Sequence, residues 1–199
     1  NKSSVVGGIL NTASGACSFI GGGECNYVKD FGSSIVGGRE NFIEATGKGN
    51  QFIGGGICNI SANFYSSVVG GDGNCVYSAY SIIGGGVNNS MGVVGGAVSP
   101  QGAIIGGGID NCIIEGGVCS GILGGNTNCI DGHNNSFIIG SDIISHAVCT
   151  THINNLTVSG SSGGGAGSSV VIMRGLPTSD PGNVGQLYRD ASGNLKISI

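Results

Sequence analysis

Ser18-Phe19-Ile20-Gly21-Gly22-Gly23-Glu24-Cys25-Asn26 is followed by Ser34-Ile35-Val36-Gly37-Gly38-Arg39-Glu40-Asn41, and then by Gln51-Phe52-Ile53-Gly54-Gly55-Gly56-Ile57-Cys58-Asn59. In each stretch two apolar residues lead into two or three glycines, and an asparagine stands three residues beyond the last glycine. The Gly-Gly-x-x-Asn figure occurs eight times, ending at Asn11, Asn26, Asn41, Asn59, Asn74, Asn89, Asn111 and Asn128. Two degenerate copies put Ser99 and Ser120 in the asparagine slot. A short unit recurring with so constant an internal spacing marks a stacked repeat architecture.

Composition agrees. Glycine makes up 43 of 199 residues, charged residues are 9% and there is no Trp. Glycine at that level ordinarily signals low complexity. Here it is periodic and alternates with β-branched pairs, so ordered strands are the stronger reading. Val, Ile, Phe and Tyr dominate the apolar set and favour strands; no window shows a 3.6-residue period, so almost no helix is expected. The net charge of −4, with seven basic residues, argues against a nucleic-acid partner. No apolar run approaches the ~20 residues of a membrane helix, so membrane insertion is not expected. Asn1-Lys2-Ser3-Ser4 carries no leader-like pattern, which says little about export.

A coil of 14 to 17 residues, counted from the first glycine of each copy, holds two short strands and two turns, with the Gly-Gly step at a corner. Stacked coils would set each Asn above the last at the ~4.8 Å strand spacing, where side-chain amides form ladders. The eight asparagines are therefore read as structural. Adjacent strand residues face opposite sides. In Phe19-Ile20, Ile35-Val36, Phe52-Ile53, Val68-Val69, Ile82-Ile83 and Ile104-Ile105 both members are apolar, so one fills the coil and the other faces out. Such a stripe needs a partner, and identical chains about a cyclic axis supply one. Between Gly84 and Gly124 the first glycines fall only 8 to 11 residues apart. A change to an interdigitated, triple-stranded geometry is expected over 84–128.

The domain reading is a β-solenoid repeat region over 1–130, a β-rich neck over 131–159, a Gly/Ser linker over 160–169 and a C-terminal β module over 170–199. Within the last, Gln186-Leu187-Tyr188-Arg189 and Leu195-Lys196-Ile197-Ser198-Ile199 flank Asp190-Ala191-Ser192-Gly193-Asn194 as a β-hairpin. Eight cysteines (17, 25, 58, 75, 112, 119, 129 and 149) follow the repeat and include no C-x-x-C pair. They read as free thiols acting as small apolar fillers stacked in columns, with a disulfide between chains or adjacent coils as the alternative. Reduced thiols would imply folding in a reducing compartment.

The run from Asn11 to Gly23, Asn-Thr-Ala-Ser-Gly-Ala-Cys-Ser-Phe-Ile-Gly-Gly-Gly, resembles the head repeats of trimeric autotransporter adhesins. It is still more similar to Gly-Gly-Gly-x-x-Asn repeats in tail fibres and fibre-like proteins of phages and large viruses. The run from Gly175 to Tyr188 is similar to a C-terminal segment of phage and virus structural proteins. The resemblance spans about two thirds of the chain. It implies an all-β homotrimeric fibre of parallel β-rolls on a virion surface, with other virion proteins and a host glycan or protein as partners. The cysteines, the compressed central repeats and the missing coiled-coil stalk and membrane anchor depart from the bacterial adhesins, which leaves a bacterial cell-surface location as the alternative.

Enzyme chemistry is not expected. His133, His146 and His152 are scattered outside the repeats, and no cofactor or metal is expected. A glycan-cleaving tailspike would want two carboxylates in a groove. Asp30 with Glu44, or Asp131 with Asp142, are the pairs available, and turn or surface roles suit them better. The Gly-rich steps lack the helix and Lys of phosphate loops. Candidate surface contacts are Lys29, Asp30, Glu44, Lys48, Tyr65 and Tyr80. Sequons occur at Asn1, Asn59, Asn89, Asn134 and Asn155, of which the ladder claims Asn59 and Asn89.

Overall fold

A computed structural model describes residues 2–45, 47, 49–93, 100–154, 182, 187–189 and 195–197. The chain forms two units, Asn1–Asn155 and Leu156–Ile199. In the second, Leu187–Arg189 pairs antiparallel with Leu195–Ile197. The proposed hairpin loop 190–194, the linker 160–169, Lys48 and Ser99 lie outside the described residues.

The first unit is a parallel β-solenoid, and its described residues contain no helix. Each coil contributes one strand to each of two ladders. The first has ten strands, which enclose about nine coils, and its strands follow chain order from Ser4–Val5 through Phe19–Ile20 and Ser34–Ile35 to Thr151–Ile153. The second has eight, from Thr12–Ala13 to Cys129–Asp131. A third line of single bridges runs Ile9, Glu24, Arg39, Ile57, Asp72, Val87, Ile109, Asn126.

The strands are mostly two residues long because one inward side chain per strand fills so narrow a coil. In the first ladder Ile20, Ile35, Ile53, Val68, Ile83, Ile105, Ile122 and Ile138 are all fully buried. Val28, Ile43, Val76, Met91, Ile113 and Ile130 line the second.

The glycine corner sets this register. The last glycine of each copy adopts the left-handed region, as at Gly38 (φ 90°), where a β-carbon would stand 2.2 Å from the Gly56 carbonyl oxygen and 2.7 Å from Asn41 Nδ2. No side chain fits there, so successive coils stack glycine on glycine. Counted back three residues from this glycine, the buried residue is always the inward one: Ile20 from Gly23, Ile35 from Gly38, Ile53 from Gly56. The first glycine, from which the spacings above were counted, is a less faithful marker. The connection on this side is always six residues, from 6–11 through 123–128.

The opposite corner absorbs all variation in length. There the link is usually five residues, as in 14–18 and 29–33, but it is eight at 44–51 and twelve at 92–103. It too carries a left-handed residue per coil: Cys17, Gly32, Asn50, Tyr65, Tyr80, Gly102, Cys119, Asn135 and Cys149.

Two expectations are corrected. The two ladders pass through 84–128 without a change of geometry: Ile83 pairs with Ile105, Ile105 with Ile122, and Ser90 with Cys112. The short glycine spacings arose because Gly116 and Gly117 belong to the variable corner, so Gly106 to Gly124 is one coil, and because Gly84 to Gly106 is one long coil that contains the twelve-residue link 92–103. Ser120 likewise sits at that corner and not in the asparagine column. Nor do the described residues of 131–159 form a separate neck, since Phe137–Ile139 and Thr151–Ile153 extend the first ladder.

Two glycines one residue apart test this account. Gly38→Ala should cost at least about 3 kcal/mol, because strain and a backbone clash coincide. Gly37→Ala, whose β-carbon would meet nothing nearer than 4.0 Å, should change stability by less than about 0.5 kcal/mol. Urea unfolding followed by circular dichroism reads both, and equal losses would contradict the register.

Candidate functional site

The asparagines stand in one column directly after the glycine corner. From Asn26 to Asn128 all seven are fully buried. Asn41 shows the pattern. Its backbone N–H and its Nδ2 both donate to Asn26 Oδ1 at 3.1 Å, and Nδ2 also reaches the Gly37 and Gly56 carbonyls at 3.1 and 3.0 Å. Its own Oδ1 then accepts from the backbone N–H and Nδ2 of Asn59, each at 3.1 Å. The column starts at Asn11, which donates to Gly7 and Gly23, and ends where Ile143 N–H donates to Asn128 Oδ1 at 3.1 Å. Asn59 and Asn89 are thus held inside as ladder members.

A second polar column was missed in the sequence. Ser18, Ser33, Ser66, Ser81, Ser120 and Ser136 are buried at the variable corner, with Gln51 and Ala103 in the same register. Ser33 Oγ accepts from Gln51 N–H at 2.9 Å, Ser81 Oγ from Ala103 N–H at 3.2 Å and Ser120 Oγ from Ser136 N–H at 3.0 Å. The signal was available: a small polar residue five positions before the last glycine.

The outward face of the first ladder carries the apolar stripe, as a zigzag. Phe19, Phe52, Ile82, Ile104 and Phe137 precede the inward residue, whereas Val36, Val69 and Leu123 follow it. Phe19 and Phe52 are followed two residues on by Gly21 and Gly54, where a β-carbon would stand 3.5 and 3.4 Å from their rings. Ser34, Ser67 and Gly121 precede the inward residues of the coils that bear Val36, Val69 and Leu123. These large groups, with Ile139, are 38% to 59% exposed. At ~4.8 Å per coil the stripe runs roughly 40 Å.

The candidate contact residues divide. Tyr65 and Tyr80 occupy successive left-handed positions of the variable corner and stack at 5.4 Å and 7°, with Phe64 edge-on to Tyr80 at 5.1 Å. Both tyrosines are about half exposed. Lys29 and Glu44 are exposed in neighbouring coils just after the second ladder. Lys29 Nζ lies 5.4 Å from the Tyr27 ring centre and 4.8 Å from that of Phe42, over two rings stacked at 5.7 Å. Asp30 is a correction: it is only 3% exposed, and its carboxylate accepts from the Phe31 N–H at 2.8 Å and the Gly49 N–H at 3.1 Å. It pins the variable corner, so an Asp30–Glu44 acid pair is not presented to a ligand.

The cysteines are free, but they are not buried fillers. Cys17, Cys58, Cys119 and Cys149 are exposed and the other four are half-buried. The reason is positional, since all eight fall on corners or on the outward side of the second ladder. Cys58 Sγ donates to Glu40 Oε2 at 3.3 Å, which holds this thiol above its ordinary pKa, and desolvation and the Glu40 and Asp72 carboxylates raise it further. Among the histidines, His133 Nδ1 is 2.8 Å from Ser145 Oγ, and His152 Nε2 is 2.8 Å from Thr150 Oγ1. Among the described residues no group of three or more His, Cys, Asp or Glu side chains is placed to hold a metal ion. No described helix is long and apolar enough to cross a membrane.

No family model matches the chain, and no curated protein sequence matches it.

The ladder makes a sharp energetic claim. Asn41→Ala would strip the buried backbone N–H and Nδ2 of Asn59 of their shared acceptor, and should cost about 2–4 kcal/mol. Asn41→Asp restores the acceptor but not the donors to Gly37 and Gly56, and it should be no better. An unchanged denaturation midpoint in either variant would refute the ladder's structural weight.

Proposed function

We propose that this chain is the shaft of a structural fibre, assembled as a homotrimer on a virion surface and used for attachment to a host cell. The observation that carries the reading is the zigzag stripe. Each coil already fills its own interior with one residue per strand, so the outward Phe, Val, Ile and Leu side chains have no place to go within the chain. A contiguous apolar strip of this length is rare on a solitary soluble protein. Copies of the same face, brought together about a symmetry axis, bury it at no cost in new sequence. The choice of three copies and of a virion setting rests on the resemblance of the repeats to viral and phage fibres.

Attachment fits the other edge. The variable corner carries the exposed Tyr65–Tyr80 stack, and it tolerates links of different length while the glycine corner does not. Binding residues gather on adjustable loops held by a rigid scaffold. Three copies presenting weak sites gain avidity from linkage alone.

Two measurements test this. Light scattering coupled to size exclusion should give three times the 19.5 kDa chain mass. Val69→Asp with Ile82→Asp, both on the stripe, should shift the protein to monomer or precipitate it. A monodisperse wild-type monomer at high concentration would overturn the assembly reading. For attachment, Tyr65→Ala with Tyr80→Ala should keep the trimer mass and lower binding to a panel of immobilised cell-surface glycans and intact cells by at least about tenfold. Undiminished binding would remove the variable corner from the contact surface.

A further inference from the structure

Cys112 and Cys129 are the one pair of cysteines brought into register by the fold. They occupy the same outward position in consecutive strands of the second ladder, Cys112–Ile114 and Cys129–Asp131. Their sulfurs lie 2.7 Å apart, with the Cys112 thiol donating to Cys129 Sγ. No other cysteine has such a neighbour. Cys75 stands between Ile60 and Ser90 in the same ladder. Cys25 is flanked at its corner by Leu10 and Glu40, and Cys119 by Gly102 and Asn135.

We propose that Cys112 and Cys129 are a redox modification site, closing to a disulfide between adjacent coils when the protein meets a peroxide-class oxidant. In-register parallel strands set α-carbons ~4.8 Å apart, inside the 4.4–6.8 Å that disulfides span. The side chains already turn toward each other, so bond formation requires a further approach of roughly 0.7 Å, to the ~2.04 Å S–S length. Both residues are half-buried and open to a small oxidant; on its far side Cys112 pairs with Ser90 in the ladder, and Cys129 is bridged to Ile144.

The hydrogen bond also divides the labour. It favours loss of the proton from Cys129, whose pKa is lowered mainly by the donated S–H. It keeps the proton on Cys112, whose pKa is raised by the same bond, by burial and by the negative charge of Cys129 and Asp131. The Cys129 thiolate attacks one oxygen of the peroxide and breaks the O–O bond. Cys129 becomes a sulfenic acid, and the departing hydroxide takes up a proton to leave as water. The Cys112 sulfur then attacks Cys129 Sγ, loses its proton and expels the sulfenic oxygen as a second water. Two thiols and one hydrogen peroxide give one disulfide and two waters.

The bond would tie neighbouring coils across a 17-residue separation, Cys112 to Cys129. It would form only after the coils have stacked, because only the stacked register brings the sulfurs together.

The test uses the whole chain, purified with reductant, freed of it, and treated with a small excess of hydrogen peroxide. Alkylation should count eight free thiols before treatment and six after. Digestion before Asp110 and Asp131 and after Glu115, without reductant, should release peptides 110–115 and 116–130 joined, with fragmentation placing the link at Cys129 and not Cys119. Cys112→Ser and Cys129→Ser should each abolish the joined species, whereas Cys75→Ser should leave it. The oxidised protein should melt about 5 °C or more above the reduced one. That gain should vanish with reductant and be absent from the Cys112→Ser, Cys129→Ser double variant. Eight persisting thiols, a link through any other cysteine, or a reductant-sensitive link between chains through these two would each overturn the proposal. Failure of the trimer would leave this result intact, because the pair lies within one chain.

Discussion

A single steric fact governs this solenoid: at one corner of every coil, backbone meets backbone with no room for a β-carbon. The last glycine of each repeat touches the carbonyl of the glycine in the next coil, and the asparagine three residues on closes over the same carbonyl. Nothing else in the coil is so demanding. The six-residue connection past this corner never changes length, because an added residue would break glycine-on-glycine contact and shift the asparagine out of its column. The rest of the coil is slaved to it. The inward Ile or Val lies three residues before the glycine, the buried serine five before, and the inward residue of the second strand five beyond.

Given that corner, the core follows from the narrowness of the coil. It is a double file of aliphatic side chains flanked by two polar files, amides on one side and mostly hydroxyls on the other. The polar files are not a weakness in so thin an interior. Each asparagine oxygen takes up a backbone N–H that coil stacking leaves with no other acceptor, so the amide column completes the backbone accounting that the strands alone cannot.

The stacking plan was legible because its determinants are rare residues at fixed offsets: eight Gly-Gly-x-x-Asn units predict coils and an amide column almost by inspection. Which member of each apolar pair points inward was not. Phe19-Ile20 and Ile35-Val36 look alike, yet the inward residue is the second of the first pair and the first of the other. The answer depends on which glycine takes the left-handed backbone, and only the distance to the asparagine reveals it. The serine file escaped notice because serine is common at turns and Gln51 and Ala103 interrupt it. Asp30 looked like a surface charge because its acceptors' partners, the Phe31 and Gly49 amides, are invisible without the corner's shape. The compressed spacing after Gly84 misled for a related reason: glycines at the tolerant corner mimic the repeat without taking part in it. For the same reason the sequence, which allows a disulfide between chains or adjacent coils, does not single out a cysteine pair. Cys112 and Cys129 differ from the other thiols by register, not by sequence context.

The direction of the hydrogen bonds carries one more consequence. In this unit the strand ladders and the bonds that link one asparagine to the next run from coil to coil along the solenoid axis. Tension along that axis therefore opens a coil's bonds in file, as a zip opens, and does not shear them all at once. Each 15-residue coil that lets go would pay out roughly 45 Å of slack chain, at ~3.4 Å per residue less the ~4.8 Å it occupied. A shaft built this way dissipates a tug by yielding a coil at a time, and the intact coils behind it keep their hold.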